Sequence, residues 1–290
     1  MPMPAHKPAT TPIPVQLSEA EFNEFILPYL SMPKRGPKCK LGYHRLFNLI
    51  LWVLYTGMQW KCLPMLKDRD GNPEIHYPTV YKAFARWADD GSIENAFIAS
   101  VGHLAHHHWL DLSVLHGDGT NTVAKKGGDG IGYSGHKHQR GEKVIAIIDN
   151  HGYVLSPLPV APVNRADTVL LPEGLKALQR VAKLTGLSIQ GSYLNLDGGF
   201  DSKSNRKVIF NAGMIPNIKE NARNRKTTKR GRKRLFDQAI HTLRDRVERT
   251  FAWEDKFKRL LLRFEHIQQR HYGMKLMAYT LINVHHFCRT

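Results

Sequence analysis

Apolar residues recur at helical spacing from about Leu17 to Leu110, then give way to short apolar runs separated by Gly, Asn and Asp. In LSEAEFNEFILPYL, Ser18 precedes Glu21 by three residues, the spacing of a capping box. Tyr43 to Tyr55 predicts an apolar helix that ends at Thr56-Gly57. The apolar run Leu46–Met58 is too short to span a bilayer, so it predicts a buried helix. Pro78 suits the first turn of a further helix, in which Val80, Phe84, Trp87 and Ala88 share one face. Lys82 and Arg86 stand four residues apart on another face, and Gly91 predicts a stop. A buried helix followed by an amphipathic one with outward basic residues predicts a small, helix-turn-helix-like DNA-binding domain over 17–110, with a generic bundle as the alternative. The proline-rich residues 1–16 predict a disordered arm and lack the apolar core of a signal peptide.

From Asp111 the texture changes. LDLSVLHGD predicts a strand, and EKVIAIIDNHGYVLSPLPV predicts two strands joined at Asp149–Gly152. A helix is expected over Leu170–Gly186, a strand in GSYLNLDGG, a short helix in SKSNRKVIFNAG and a strand in MIPNIK. A long helix is expected from Leu235 to about Arg263, and an apolar helix over Met274–Phe287. Strands followed by alternating helices and strands predict an α/β layer with a mixed sheet over 111–290. No Walker-type loop is present, which disfavours ATP chemistry.

Charge narrows the class. The 290 residues carry a formal net charge of +17, an excess that suits a polyanionic partner, above all nucleic acid. Between Arg223 and Arg234, eight of twelve residues are basic: Arg223, Arg225, Lys226, Lys229, Arg230, Arg232, Lys233 and Arg234. Such a block predicts phosphate contacts of low sequence content and strong salt dependence. The cysteines, Cys39, Cys62 and Cys288, are odd in number and far apart, which argues against a disulfide framework and for a reducing, cytoplasmic compartment without membrane insertion. His106–His108 are adjacent, so they point in different directions and predict solvated side chains.

Asp118 in HGDGTNT and Asp197 in NLDGGFDS each stand at the expected end of a strand, flanked by glycines that let a phosphate or metal come near the backbone. On the expected C-terminal helix, Leu243, Val247 and Phe251 form a stripe with Glu248 at its edge and Arg244 one turn earlier. Three carboxylates suit Mg²⁺ or Mn²⁺, and two such ions can drive phosphodiester cleavage. Spacing alone does not single these acids out. Asp201 reads as a helix cap, Asp149 as a turn residue, and Glu254, Asp255 and Glu265 as solvated helix acids.

The order of the blocks carries more. GDGTNTVAKK with KVIAIIDNHGYVL, LNLDGGFDSKSNRKVIFNAGMIPNIK, and RDRVERTFAWEDKFKRLLLRFE resemble the three catalytic blocks of the DDE transposases of bacterial insertion sequences, of the insertion-sequence-5 type. LFNLILWVLYTGMQWKCLP and TVYKAFARWADDGSIE resemble the helical N-terminal region of that group, so the resemblance covers about residues 20 to 287. It implies a ribonuclease-H-like catalytic domain, two Mg²⁺ or Mn²⁺ ions on Asp118, Asp197 and Glu248, and an electrostatic role for Arg244. It also implies binding to double-stranded DNA at terminal inverted repeats, cleavage there, transfer of 3′-hydroxyl ends to target DNA, and a homodimer on the DNA. The family's tyrosine position holds His241 and its lysine position holds Asp255. Lys256 beside it is expected to contact DNA, and Lys256, Lys258 or Arg259 is the candidate substitute for the lysine. A nuclease of the same fold that does not join strands, or a non-catalytic DNA-binding relative, stays open as an alternative.

Overall fold

A computed structural model of the chain describes residues 11–33, 39, 41–221 and 234–288. The chain divides into two compact units. One holds the described residues up to His108 with 122–131 and those from Trp253 onward; the other holds 109–121 with 132–252. The first division falls between His108 and Trp109, and the C-terminal helix groups with the N-terminal helices.

The first unit is built from α1 (Glu19–Phe25), α2 (Tyr43–Thr56), α3 (Tyr77–Asp89), α4 (Ser92–His106) and, far along the chain, α9 (Gln268–Val284). Ser18 and Glu21 form the expected capping box: the Ser18 Oγ accepts from the Glu21 N–H at 3.3 Å, and the Glu21 carboxylate accepts from the Ser18 N–H at 2.8 Å. Phe22, Phe84, Trp87 and Phe97 are fully buried. Residues 57–76 separate α2 from α3, so these two do not form a helix-turn-helix with its short turn. Only Asp90 and Gly91 separate α3 from α4, and Gly91 adopts a left-handed φ of 82°. Residues 11–16, expected as part of the arm, are held down: Ile13 is buried, and Thr11 Oγ1 donates to the His285 carbonyl at 3.1 Å.

α9 starts at Gln268, before the apolar run the sequence singles out, and every residue from His271 to Val284 is buried. A helix covered on all sides has to neutralise its polar positions. Lys275 and Tyr279 both donate to Glu254, and Glu265 accepts from Arg259 Nη2 at 2.6 Å. Glu254 and Glu265 are thus buried ion-pair partners and not solvated acids. Burial pushes the Glu265 carboxyl upward, but His271 and Arg259 outweigh it and hold the group at about 2. Its folded value lies below its unfolded value, so the stability it contributes is present above about pH 4.5 and is lost as pH falls toward 2, about 3 kcal/mol in all. Glu265→Gln is expected to flatten this acid limb in urea titrations run between pH 5 and 3; an unchanged limb would show that other carboxylates set it.

The second unit is built on a sheet ordered β2-β3-β1-β5-β6, from β1 (Val114–Ala124), β2 (Gly132–Ser134), β3 (Gln139–Ile148), β5 (Tyr193–Leu196) and β6 (Ile215–Ile218). β1, β5 and β6 are parallel, and β2 and β3 are antiparallel. β4 (Val160–Pro162) pairs with β3, while β7 (Leu262–Arg263) pairs with the far end of β1 within the helical unit. α5 (Asp167–Thr185) and α6 (Lys203–Asn211) provide the crossovers between β4, β5 and β6. The core is Leu115, Ile145, Ile147, Leu171, Val181 and Leu194, all nearly inaccessible. The hairpin at Asp149–Gly152 forms as expected, with a bridge between Ile148 and Val154.

The long helix expected over Leu235–Arg263 is broken into α7 (Gln238–Thr242), α8 (Asp245–Glu254), a short 3₁₀ turn at Lys258–Leu260 and β7. Between α7 and α8 the amides of Leu243, Arg244, Arg246 and Val247 each bond the carbonyl three residues back, which tightens the chain into a turn. Periodicity cannot report that break, because what fixes it are partners distant in sequence.

Candidate active site

Asp118 is not at a strand tip. β1 continues through it to Ala124, carried by the β-forming Thr120, Thr122 and Val123. Neither Gly117 nor Gly119 has positive φ, so the HGDG motif is not a turn. The two glycines serve close approach. A Cβ on Gly117 would lie 2.5 Å from Leu196 Cδ2, and one on Gly119 would lie 3.1 Å from Asp167 Oδ1. Pairing of β1 with β5 ends at His116↔Asn195, which leaves Asp118 where the two strands part. Asp197 follows the end of β5 and caps a short turn, accepting the Gly199 N–H at 2.8 Å.

Arg244 reaches Asp118 from the tight turn between α7 and α8, with Nη2 2.9 Å from Oδ2. The other Asp118 oxygen accepts its neighbour's amide, Gly119 N–H, at 2.8 Å. Burial is the main cause that lifts the Asp118 carboxyl above the ordinary aspartate range. Gly119 and Arg244 oppose the rise, and the like charges of Asp197 and Asp167 add to it. His241 belongs to the same surroundings: burial, Arg244 and Lys219 lower its value, and Asp197 raises it.

Glu248 does not join the two aspartates. It is exposed on α8, whereas Val247 and Thr250 are fully buried. Successive helical residues differ by about 100°, so burying Val247 and Thr250 turns Glu248 aside. Among the described residues no group of three or more His, Cys, Asp or Glu side chains stands close enough to hold a metal ion. The two aspartates nevertheless suit a hard divalent ion. Mg²⁺ commonly takes one or two carboxylates and completes its shell with water and substrate phosphates, and both carboxylates here retain oxygen lone pairs.

The expected DNA contacts separate into groups. Lys82 is exposed on α3, and the half-buried Arg86 guanidinium sits 5.7 Å from the Trp87 ring centre. Arg234 is committed to Asp201 at 2.5 Å and to Glu220 at 3.4 Å, and is thus an internal ion pair. Asp201 itself is nearly buried and also holds Arg206 at 2.9 Å, while Ser202 caps α6. Lys256 donates to the Ile13 carbonyl at 2.8 Å within the helical unit, where Asp255 is exposed. Arg223, Arg225, Lys226, Lys229, Arg230, Arg232 and Lys233 lie outside the described residues. His106–His108 are exposed, as expected.

Several residues near Asp118 had not been singled out. Asp167, in the first turn of α5, pairs with Lys143 of β3 at 2.8 Å. His116, Asn195 and Asn217 are fully buried on three adjacent strands. The sequence held a signal for them: each is a polar residue in an apolar strand, two positions before Asp118, Asp197 and Lys219 respectively. Among the described residues no helix is long and apolar enough to cross a membrane.

The chain matches the transposase DDE domain family over residues 109–281. Residues 17–97 match a second family, of IS4/5 transposases. Among curated proteins, none matches. A solved structure, the crystal structure of the Mos1 mariner paired end complex with Mn, aligns with 64% of this chain at 10% identity and a TM-score of 0.24. This chain spans 61% of that one. The sheet is mixed and accompanied by helices, and it follows an N-terminal helical region.

Proposed function

Starting from a chain that belongs to the transposase DDE domain family, we propose that it cleaves DNA at the inverted-repeat ends of an insertion sequence and transfers the 3′-hydroxyl ends to target DNA. The observation that carries this reading is the pairing of Asp118 with Arg244 at the point where β1 and β5 part, with Asp197 directly after the end of β5. DDE transposases generally use divalent metals. Bound Mg²⁺ or Mn²⁺ would activate the attacking water or hydroxyl and stabilise the leaving oxygen. Asp118 and Asp197 would hold the cation, which removes the like-charge strain between them. Arg244 orients Asp118, and its Nε, buried and unpartnered among the described residues, is a further donor for a phosphate oxygen. For Glu248 to complete the ligand set, as the family resemblance implies, α8 has to turn on DNA binding, because its buried Val247 and Thr250 direct Glu248 away from the two aspartates in the free protein. The net charge of +17 and the basic stretch 223–234 support a double-stranded DNA partner, bound by a homodimer.

The test uses the purified protein, DNA carrying its own gene-flanking ends, and Mg²⁺ or Mn²⁺. Discrete metal-dependent cuts at inverted repeats and joining of the cut ends to a second duplex are expected. Asp197→Asn should lose both reactions by about a thousandfold and keep its DNA affinity. Cutting without joining would support a nuclease instead, and metal-independent binding without cuts would support a non-catalytic relative.

A further inference from the structure

His116, Asn195 and Asn217 stand in register across β1, β5 and β6 and form one continuous row of hydrogen bonds under the acids. Asn217 Nδ2 donates to Asn195 Oδ1 at 3.2 Å, and Asn195 Nδ2 lies 3.2 Å from His116 Nδ1. His116 Nε2 lies 3.1 Å from Asn150 Oδ1, in the hairpin turn, and Asn150 Nδ2 donates to Asp111 at 2.7 Å. These partners require Nε2 to carry the histidine's proton and Nδ1 to accept.

The outer ends of the row grip main chain. Asn217 Nδ2 donates to the Asp237 carbonyl at 3.0 Å, and Asn217 Oδ1 accepts the Asp237 N–H at 2.7 Å. Asn195 Nδ2 donates to the Ile240 carbonyl at 2.7 Å. On the other side Arg246 donates to both Asn150 oxygens, Arg249 to the His151 carbonyl at 3.0 Å, and Thr250 to the Gly152 carbonyl at 2.8 Å. Arg244 lies between these two sets of anchors. α7 has no buried residue, so apolar packing alone does not fix it on the sheet.

We propose that the buried row Asn150–His116–Asn195–Asn217 is a positioning device that seats the 237–250 segment by its backbone and thereby sets Arg244 against Asp118. The inference rests on the transposase reading for its catalytic consequence, but not for its structural one. A fully satisfied buried network fixes a single geometry, whereas an apolar surface would allow α7 to slide. The four residues touch no substrate; they act through Arg244.

The test is Asn217→Leu in the full chain. Hydrogen exchange should accelerate at least about tenfold in peptides covering 237–250, while β3 and β5 stay within about twofold of wild type. End cleavage in Mg²⁺ should lose about 100-fold in kcat with KM within about threefold, as expected for a misplaced but still bound site. If Asn217→Leu does not fold, Asn217→Ser, which removes the reach to Asp237 without adding bulk, is read in the same way. Unchanged exchange over 237–250, or equal acceleration throughout the sheet, overturns the proposal. Should the wild-type protein cut no DNA, the transposase reading fails on its own, and the exchange measurement still decides the positioning role.

Discussion

Asp118→Asn is expected to lower metal-dependent cleavage by about a thousandfold, close to 4 kcal/mol of transition-state stabilisation, without unfolding the protein. Asparagine keeps the shape but only one acceptor oxygen, so it can still serve the Gly119 N–H or the Arg244 guanidinium but not both, at a cost of about 1 kcal/mol. What disappears is the anion that a divalent cation needs. The apoprotein does not depend on that anion: burial, together with Asp197 and Asp167, makes the folded site a poor place for the charge. Stability in metal-free buffer should therefore stay within about 1 kcal/mol of wild type, because removal of the disfavoured charge offsets the lost acceptor. Measuring cleavage, DNA affinity and thermal unfolding side by side checks this. An inactive variant that is also several degrees less stable would assign Asp118 a mainly structural role.

Lys275→Met is expected to have the largest effect on stability, a loss of about 3–5 kcal/mol. Lys275 is on α9 and Glu254 ends α8; their side chains are 2% and 7% exposed and share a hydrogen bond. Removing the ammonium leaves a buried carboxylate with Tyr279 as its remaining hydrogen-bond donor shown here. At about 2–4 °C per kcal/mol for units of this size, the unfolding midpoint should fall by about 10 °C. The double variant Glu254→Leu/Lys275→Met removes both charges and should regain most of the loss, because the penalty comes from the orphaned ion rather than the missing pair. A single-variant cost below about 1 kcal/mol would mean that water reaches Glu254.

The local code was enough to define most elements. The Ser18–Glu21 box, the stop at Gly57, Pro78 in a first turn, the hairpin at Asp149–Gly152 and the strands around Leu115, Leu194 and Ile218 follow from neighbours within a few residues. The order of the blocks was likewise enough to indicate the family, because that information is linear. Three features were decided only in the folded chain. The break between α7 and α8 goes with side chains of other strands holding the carbonyls of Asp237 and Ile240, and Asn217 and Asn195 contribute nothing to the helical periodicity of residues 235–263. The burial of Glu254 and Glu265 depends on Lys275 and Arg259, and a charge pattern read along one helix cannot name a partner on another segment. The exposure of Glu248 follows from which face of α8 is buried, and that is settled by Thr250 and Arg246 reaching the 149–152 turn. Local propensity and spacing act over one or two turns of chain, whereas each of these outcomes is a hydrogen bond or ion pair closed across tens of residues.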